Sequence, residues 1–237
     1  MSESYRESGL PVSKLVEIPN GVDADRFRPP SPDDDRGMMK DRMGIPFDAE
    51  VVTFVGPVSR EKGVDTLLLA WPQIVDLEPR SFLVLVGPLR PGALAGFPTL
   101  ESLSSDSMRI RATGEVDNVY RYLRVSDVFV LPTRFEGLPN SLLEAMSTGL
   151  ACVASRIPST EEVTENGRSA ILVELGDPAA LVEAIAGLLE DPERRSAFGT
   201  AARARIEEKY AMEIVADAHA ALYRRLTEGA VKDRGHI

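Results

Sequence analysis

Short runs of aliphatic and β-branched residues recur along the chain, separated by longer stretches in which apolar positions fall three and four apart. The short runs are Val51 to Gly56, Phe82 to Gly87, Met108 to Thr113, Asp127 to Leu131, Leu150 to Ala154 and Ala170 to Val173. Such β-rich runs between helical patterns predict parallel strands covered by helices on both faces of a sheet. Between the first two runs, Val64, Leu67, Leu68, Trp71, Ile74 and Val75 keep helical spacing behind Gly63 and Asp65, and Pro72 is expected to kink that helix. Further helices are predicted over Asn118 to Val125, Ser141 to Thr148 with Gly149 closing it, Asp177 to Glu190, about Glu193 to Lys209, and Met212 to Leu226. The fold class is α/β, a three-layer α/β/α domain with a mostly parallel sheet of about six strands.

The stretch Arg26 to Asp48 breaks the pattern, because Arg28-Pro29-Pro30-Ser31-Pro32 followed by Asp33, Asp34 and Asp35 reads as a surface connection rather than a buried element. Residues after Glu228 read as a flexible tail.

Composition narrows the function classes. Lys and Arg number 27 against 37 Asp and Glu, a net charge of -10, which argues against a partner recognised by neutralising nucleic-acid phosphates. One cysteine, Cys152, leaves no internal disulfide, and two histidines, His219 and His236, offer little to a metal centre. No charge-free stretch approaches the roughly 20 residues that span a bilayer, so the expectation is a cytoplasmic protein, with peripheral membrane contact left open.

In an open parallel sheet, ligands sit beyond the carboxyl ends of the strands, so the loops after the strands carry the chemistry. The first runs Gly56-Pro57-Val58-Ser59-Arg60-Glu61-Lys62-Gly63 and reads either as a solvated loop of charged residues or, with its lysine against a helix N-terminus, as a seat for phosphate that lacks the P-loop order. The second runs Pro132-Thr133-Arg134-Phe135-Glu136-Gly137-Leu138-Pro139-Asn140-Ser141-Leu142-Leu143-Glu144. Its two carboxylates, Glu136 and Glu144, border one helix start, where backbone N-H groups from Gly137 to Ser141 can receive an anion and carboxylates can accept hydrogen bonds from sugar hydroxyls. Both have a purely structural reading as well: Ser141-Leu142-Leu143-Glu144 is a capping-box pattern, and Glu136 also reads as a solvent-facing turn residue. Asp23-Ala24-Asp25, Asp33-Asp34-Asp35 and His219 read as solvated or partly packed positions without a chemical role.

Glu136-x7-Glu144, within Phe135-Glu136-Gly137-Leu138-Pro139-Asn140-Ser141-Leu142-Leu143-Glu144-Ala145-Met146, resembles the donor-site signature of GT-B glycosyltransferases of the family 4 (glycosyl transferases group 1) type. Ile18-Pro19-Asn20-Gly21-Val22-Asp23, Glu61-Lys62-Gly63, Ser126 to Pro132 and Val173 to Pro178 resemble that family's landmarks in the same order. The resemblance implies a Rossmann-like domain over residues 15–227 that forms one half of a GT-B fold, with residues 1–14 a remnant of an interdomain connection and 228–237 the tail. It implies retaining, metal-independent transfer from a nucleotide sugar, a UDP- or GDP-sugar, without another cofactor.

By the same resemblance, Lys62 pairs with the donor diphosphate, Glu136 contacts sugar hydroxyls, and these two are the expected catalytic residues. Glu144 holds the ribose; Gly56, Arg60, Gly137, Leu138, Pro139, Asn140 and Ser141 approach the phosphates or sugar; and the loop Ile110 to Glu115, with Arg111, lies near the base. Pro57 stands where the family usually has arginine, with Arg60 the expected substitute, and Pro158-Ser159 stands ahead of Glu162 where a Gly-Gly pair is frequent. An N-terminal acceptor domain, in a longer chain or a partner chain, is the expected complement. The apolar face of the last helix, Ile214, Ala218, Leu222 and Leu226, is therefore expected to be uncovered. Two other expectations stand beside this one: a non-catalytic nucleotide-sugar-binding module, motivated by Pro57 and the absent first domain, and a nucleotide-sugar epimerase.

Overall fold

The computed structural model describes residue 11, residues 15–89 and residues 108–234, with side chains through residue 228. Segment 1–14 therefore lies outside the described residues apart from residue 11. Six parallel strands form one sheet in the order β3-β2-β1-β4-β5-β6. They are β1 Glu50–Val55, β2 Ser81–Val86, β3 Ile110–Gly114, β4 Val128–Leu131, β5 Ala151–Ser155 and β6 Ile171–Val173. All residues of β2, β4 and β5 are buried, so both faces of the sheet centre are covered and apolar side chains suit every position.

The helices are α1 Arg36–Arg42, α2 Val64–Leu77, α3 Val119–Val125, α4 Asn140–Ser147, α5 Pro158–Thr164, α6 Pro178–Glu190, α7 Pro192–Arg205 and α8 Met212–Arg234, with a π-helical turn Ile206–Tyr210 continuing α7. A large core unites α2, α4 and α6 with the sheet around Trp71, Phe54, Phe129, Leu67 and Ile74. A smaller one on the other side gathers Ile45, Val51, Phe82, Val84, Val86 and Val125. None of the described helices is long and apolar enough to cross a membrane.

Three expectations change. The stretch Arg26 to Asp48 contains α1, started by the Asp35 carboxylate accepting from the Met38 N-H at 2.8 Å. It is also not wholly superficial: the Lys40 stem is buried and its ammonium donates to the Ala49 carbonyl at 2.6 Å, while burial lowers its pKa. Pro158 opens the unexpected helix α5, whose Thr160 hydroxyl lies 2.5 Å from the Ser155 carbonyl and accepts from the Ile157 N-H at 3.1 Å. The last helix continues past Glu228 to Arg234, because one glycine, Gly229, costs only about 1 kcal/mol in a helix.

The chain enters and leaves beside itself. Val22 donates to the Tyr210 carbonyl at 2.8 Å and accepts from the Met212 N-H at 3.0 Å. Past this point α8 stands away from the body: Val215 is buried, but Met212, Ile214, Tyr223 and Leu226 are exposed. The expected strip is uncovered at Ile214, Ala218 and Leu226 and half-buried at Leu222.

Candidate functional site

The strand order reverses between β1 and β4, the place where an open parallel sheet offers a ligand crevice at the carboxyl ends of its strands. The loops that follow these two strands carry Lys62 and Glu136. Gly63 lets them meet: its φ of +69° is a left-handed conformation, and a Cβ there would fall 1.8 Å from the Pro132 carbonyl oxygen. With the loops flush, the Lys62 ammonium lies 2.8 Å from Glu136 Oε1, both side chains being 18% exposed. Two residues separated by 74 positions in sequence thus form a half-buried ion pair at the start of α2.

Beyond Glu136, the chain turns through Gly137, Leu138 and Pro139 into α4. The N-H groups of Gly137, Leu138 and Ser141 have no protein acceptor among the described residues, whereas Asn140 donates to the Leu138 carbonyl. Three free donors and a helix N-terminus make this turn attractive to an anion. The capping box does not form: α4 begins at Asn140 behind Pro139, no side chain caps it, and Glu144 lies beyond the first turn.

Glu144 faces a cavity of about 480 Å³ between the segment Ile18 to Asp23, α4 and the start of α8. Burial pushes its carboxyl up to about 7, while the Arg26 charge pulls the other way. Its carboxylate receives no hydrogen bond from the described residues. Asn20, Asp23 and His219 line the same cavity. Sequence reasoning missed them as site residues, since His219 reaches it only because α8 begins beside Val22. Asn20 carried the available signal, sitting in the Ile18 to Asp23 landmark, and its amide reaches Asn140 Oδ1 at 3.4 Å. Asp23 also forms a turn cap, accepting from the Asp25 and Arg26 N-H groups at 3.2 and 2.9 Å.

The remaining expected residues divide. Gly56 directly follows β1, its N-H bonded to the Val86 carbonyl and its own carbonyl against Gly87. Arg60 is exposed on the Lys62 loop. Arg111 is not brought to the crevice: it lies within β3 opposite Val84, and its guanidinium reaches the Gly44 carbonyl at 3.3 Å. A strand residue projects from a sheet face rather than from the strand end, so Arg111 cannot follow the loop that succeeds it.

The sequence profile of the family described as Glycosyl transferases group 1 matches residues 49–191. Among curated proteins, a GDP-mannose-dependent monoacylated alpha-(1-6)-phosphatidylinositol monomannoside mannosyltransferase of Corynebacterium glutamicum is 31% identical over 210 residues, covering 84% of this chain and 53% of the relative. Anabaena HepE, solved in complex with UDP and glucose, superposes with a TM-score of 0.79 at 20% identity, over 95% of this chain and 60% of that one. The C-terminal domain of a glycosyl transferase group 1 family protein, LpcC, from Francisella tularensis has a TM-score of 0.71 at 21% identity and is covered over its full length, 100%, by 81% of this chain. The chain spans about half the length of the curated relatives it matches. With the profile covering the whole sheet and both crevice loops, this chain belongs to the Glycosyl transferases group 1 family and has the fold of one half of a GT-B enzyme.

Proposed function

We propose that this domain binds a nucleoside diphosphate sugar in the crevice between β1 and β4 and is the donor half of a retaining glycosyltransferase, working with an acceptor domain. The observation that carries the reading is the convergence of Lys62, Glu136 and the free N-H groups of Gly137, Leu138 and Ser141 at one strand-order reversal.

The chemistry follows from the charges. When the bond from the anomeric carbon to the diphosphate breaks, its electron pair passes to the leaving oxygen, and fixed positive charge and N-H dipoles favour that state over the bound donor. Lys62 and the α4 turn supply both. Glu136, freed from Lys62 by the phosphate, accepts hydrogen bonds from sugar hydroxyls, and Glu144 does the same for the ribose in the adjoining cavity. The acceptor hydroxyl arrives from the partner half on the face the diphosphate leaves. The donor nucleotide is a UDP or GDP conjugate, as in the UDP complex of HepE and the GDP-mannose dependence in the name of the Corynebacterium relative.

Calorimetric titration with UDP, GDP and their sugar conjugates tests the reading. One of them should bind saturably and Lys62→Ala should weaken it at least tenfold. Equal affinity in wild type and Lys62→Ala would overturn the assignment of the crevice.

A further inference from the structure

We propose that Arg134 is a positioning residue for Lys62, with Asp65 as its anchor; this rests on the crevice being the diphosphate site. Arg134 is the cation of the Glu136 loop, and its guanidinium is engaged with the facing Lys62 loop and α2. It grips Asp65 as a fork, Nη1 to Oδ1 at 2.8 Å and Nη2 to Oδ2 at 2.9 Å, and Nη1 also donates to the Arg60 carbonyl. Its backbone N-H donates to the Glu61 carbonyl at 2.9 Å. The contacts therefore fall on residues 60, 61 and 65, on both sides of Lys62, and tie them to one residue two positions before Glu136.

A lysine side chain has four rotatable bonds, so the place of its ammonium depends on how firmly its backbone is held. Among the described residues, the Lys62 backbone N-H reaches only the Ser59 hydroxyl, at 3.3 Å. Across the gap, Thr133 donates to the Phe135 carbonyl at 3.0 Å and fixes the turn that presents Glu136. The planar fork then sets the two loops in register, which a lysine at residue 134 could do through one oxygen only. Asp65, in the first turn of α2, is favourably placed for the helix dipole and is 14% exposed, so the fork is sheltered on the Asp65 side.

The test uses the whole chain, with UDP and GDP as diphosphate probes and uridine and guanosine as probes that lack phosphate. In Arg134→Ala the affinity for the diphosphate that binds wild type should fall about tenfold or more, while affinity for its nucleoside, held on the Glu144 side, stays within twofold. Arg134→Lys should recover part of the loss, and Asp65→Asn, which keeps the shape but removes the charge, should reproduce it. Unchanged diphosphate affinity in Arg134→Ala and Asp65→Asn would overturn the proposal, as would parallel losses of nucleoside and diphosphate. Should wild type bind neither UDP nor GDP, the reading of the crevice fails, and the Lys62 ammonium signal in side-chain NMR decides the positioning role. Movement of that signal in Arg134→Ala would support it; an unmoved signal would overturn it.

Discussion

Replacing Glu136 by glutamine should make the crevice bind a bare nucleoside diphosphate more tightly, although it removes a residue proposed to contact the donor. At 2.8 Å the gross attraction between Lys62 and Glu136 is about 6 kcal/mol for an effective dielectric constant of about 20. Desolvation of both groups and ordering of two long side chains cancel most of it, leaving roughly 1–2 kcal/mol for a half-buried pair. A diphosphate must displace the carboxylate before it can use the ammonium, so this energy opposes binding. Glu136→Gln keeps the shape and removes the competitor, and UDP or GDP affinity should rise about 5- to 30-fold. The sugar conjugate should gain less, because its hydroxyls lose an ionised acceptor. The same pairing energy is lost from the unliganded fold, so Tm should fall by about 2–6 °C. Titration of both ligands into wild type and variant, with thermal melts alongside, gives all three quantities. Diphosphate affinity equal to or weaker than wild type would show that the ion pair does not hold Lys62 back.

The Glu144 carboxyl, raised to about 7 by burial, binds its proton more tightly in the fold than in the unfolded chain. Its contribution to stability is therefore full below the ordinary glutamate range and is lost as pH rises through about 7, a loss of about 3 kcal/mol, so Glu144→Gln should raise Tm at pH 8 and leave it nearly unchanged at pH 4. Nucleotide affinity that depends on the ionised Glu144 should increase between pH 6 and 8 by about tenfold, and a flat profile in calorimetry would exclude it as the ribose acceptor. Gly63→Ala should destabilise by about 2–4 kcal/mol, since a Cβ would meet the Pro132 carbonyl at 1.8 Å, and a denaturant titration within 0.5 kcal/mol of wild type would contradict this close approach. Tyr223→Ser with Leu226→Ser should shift Tm by less than about 2 °C, because both side chains are about three-fifths exposed, at 62% and 59%; a larger drop would mean that this face is covered in solution.

The sheet was legible in the sequence because strands buried on both faces have to be apolar throughout, as in Phe82 to Val86. Membership in a parallel sheet then located Lys62 and Glu136 on loops at the same end, though their direct pairing depends on the strand order, which no local pattern reveals. Helix α5 escaped notice because Pro158 to Thr164 spans two turns of mostly polar residues without an apolar stripe. In α1 the aspartates read as a solvated turn, and the burial of Lys40 depends on the distant Ala49 carbonyl. Ser141 and Glu144 matched a cap pattern, but the helix starts one residue earlier, after Pro139, which frees Glu144 to face the cavity.

The hydrogen bonds of Val22 to Tyr210 and Met212 make a parallel bridge that holds the entering and leaving chain side by side against the core. Chain segments held this close make the chain between them a candidate for circular permutation. The Ile18 to Asp23 segment and the start of α8, which flank this bridge, also form the wall of the cavity that Glu144 faces, so the residues that close the domain shape its cavity as well.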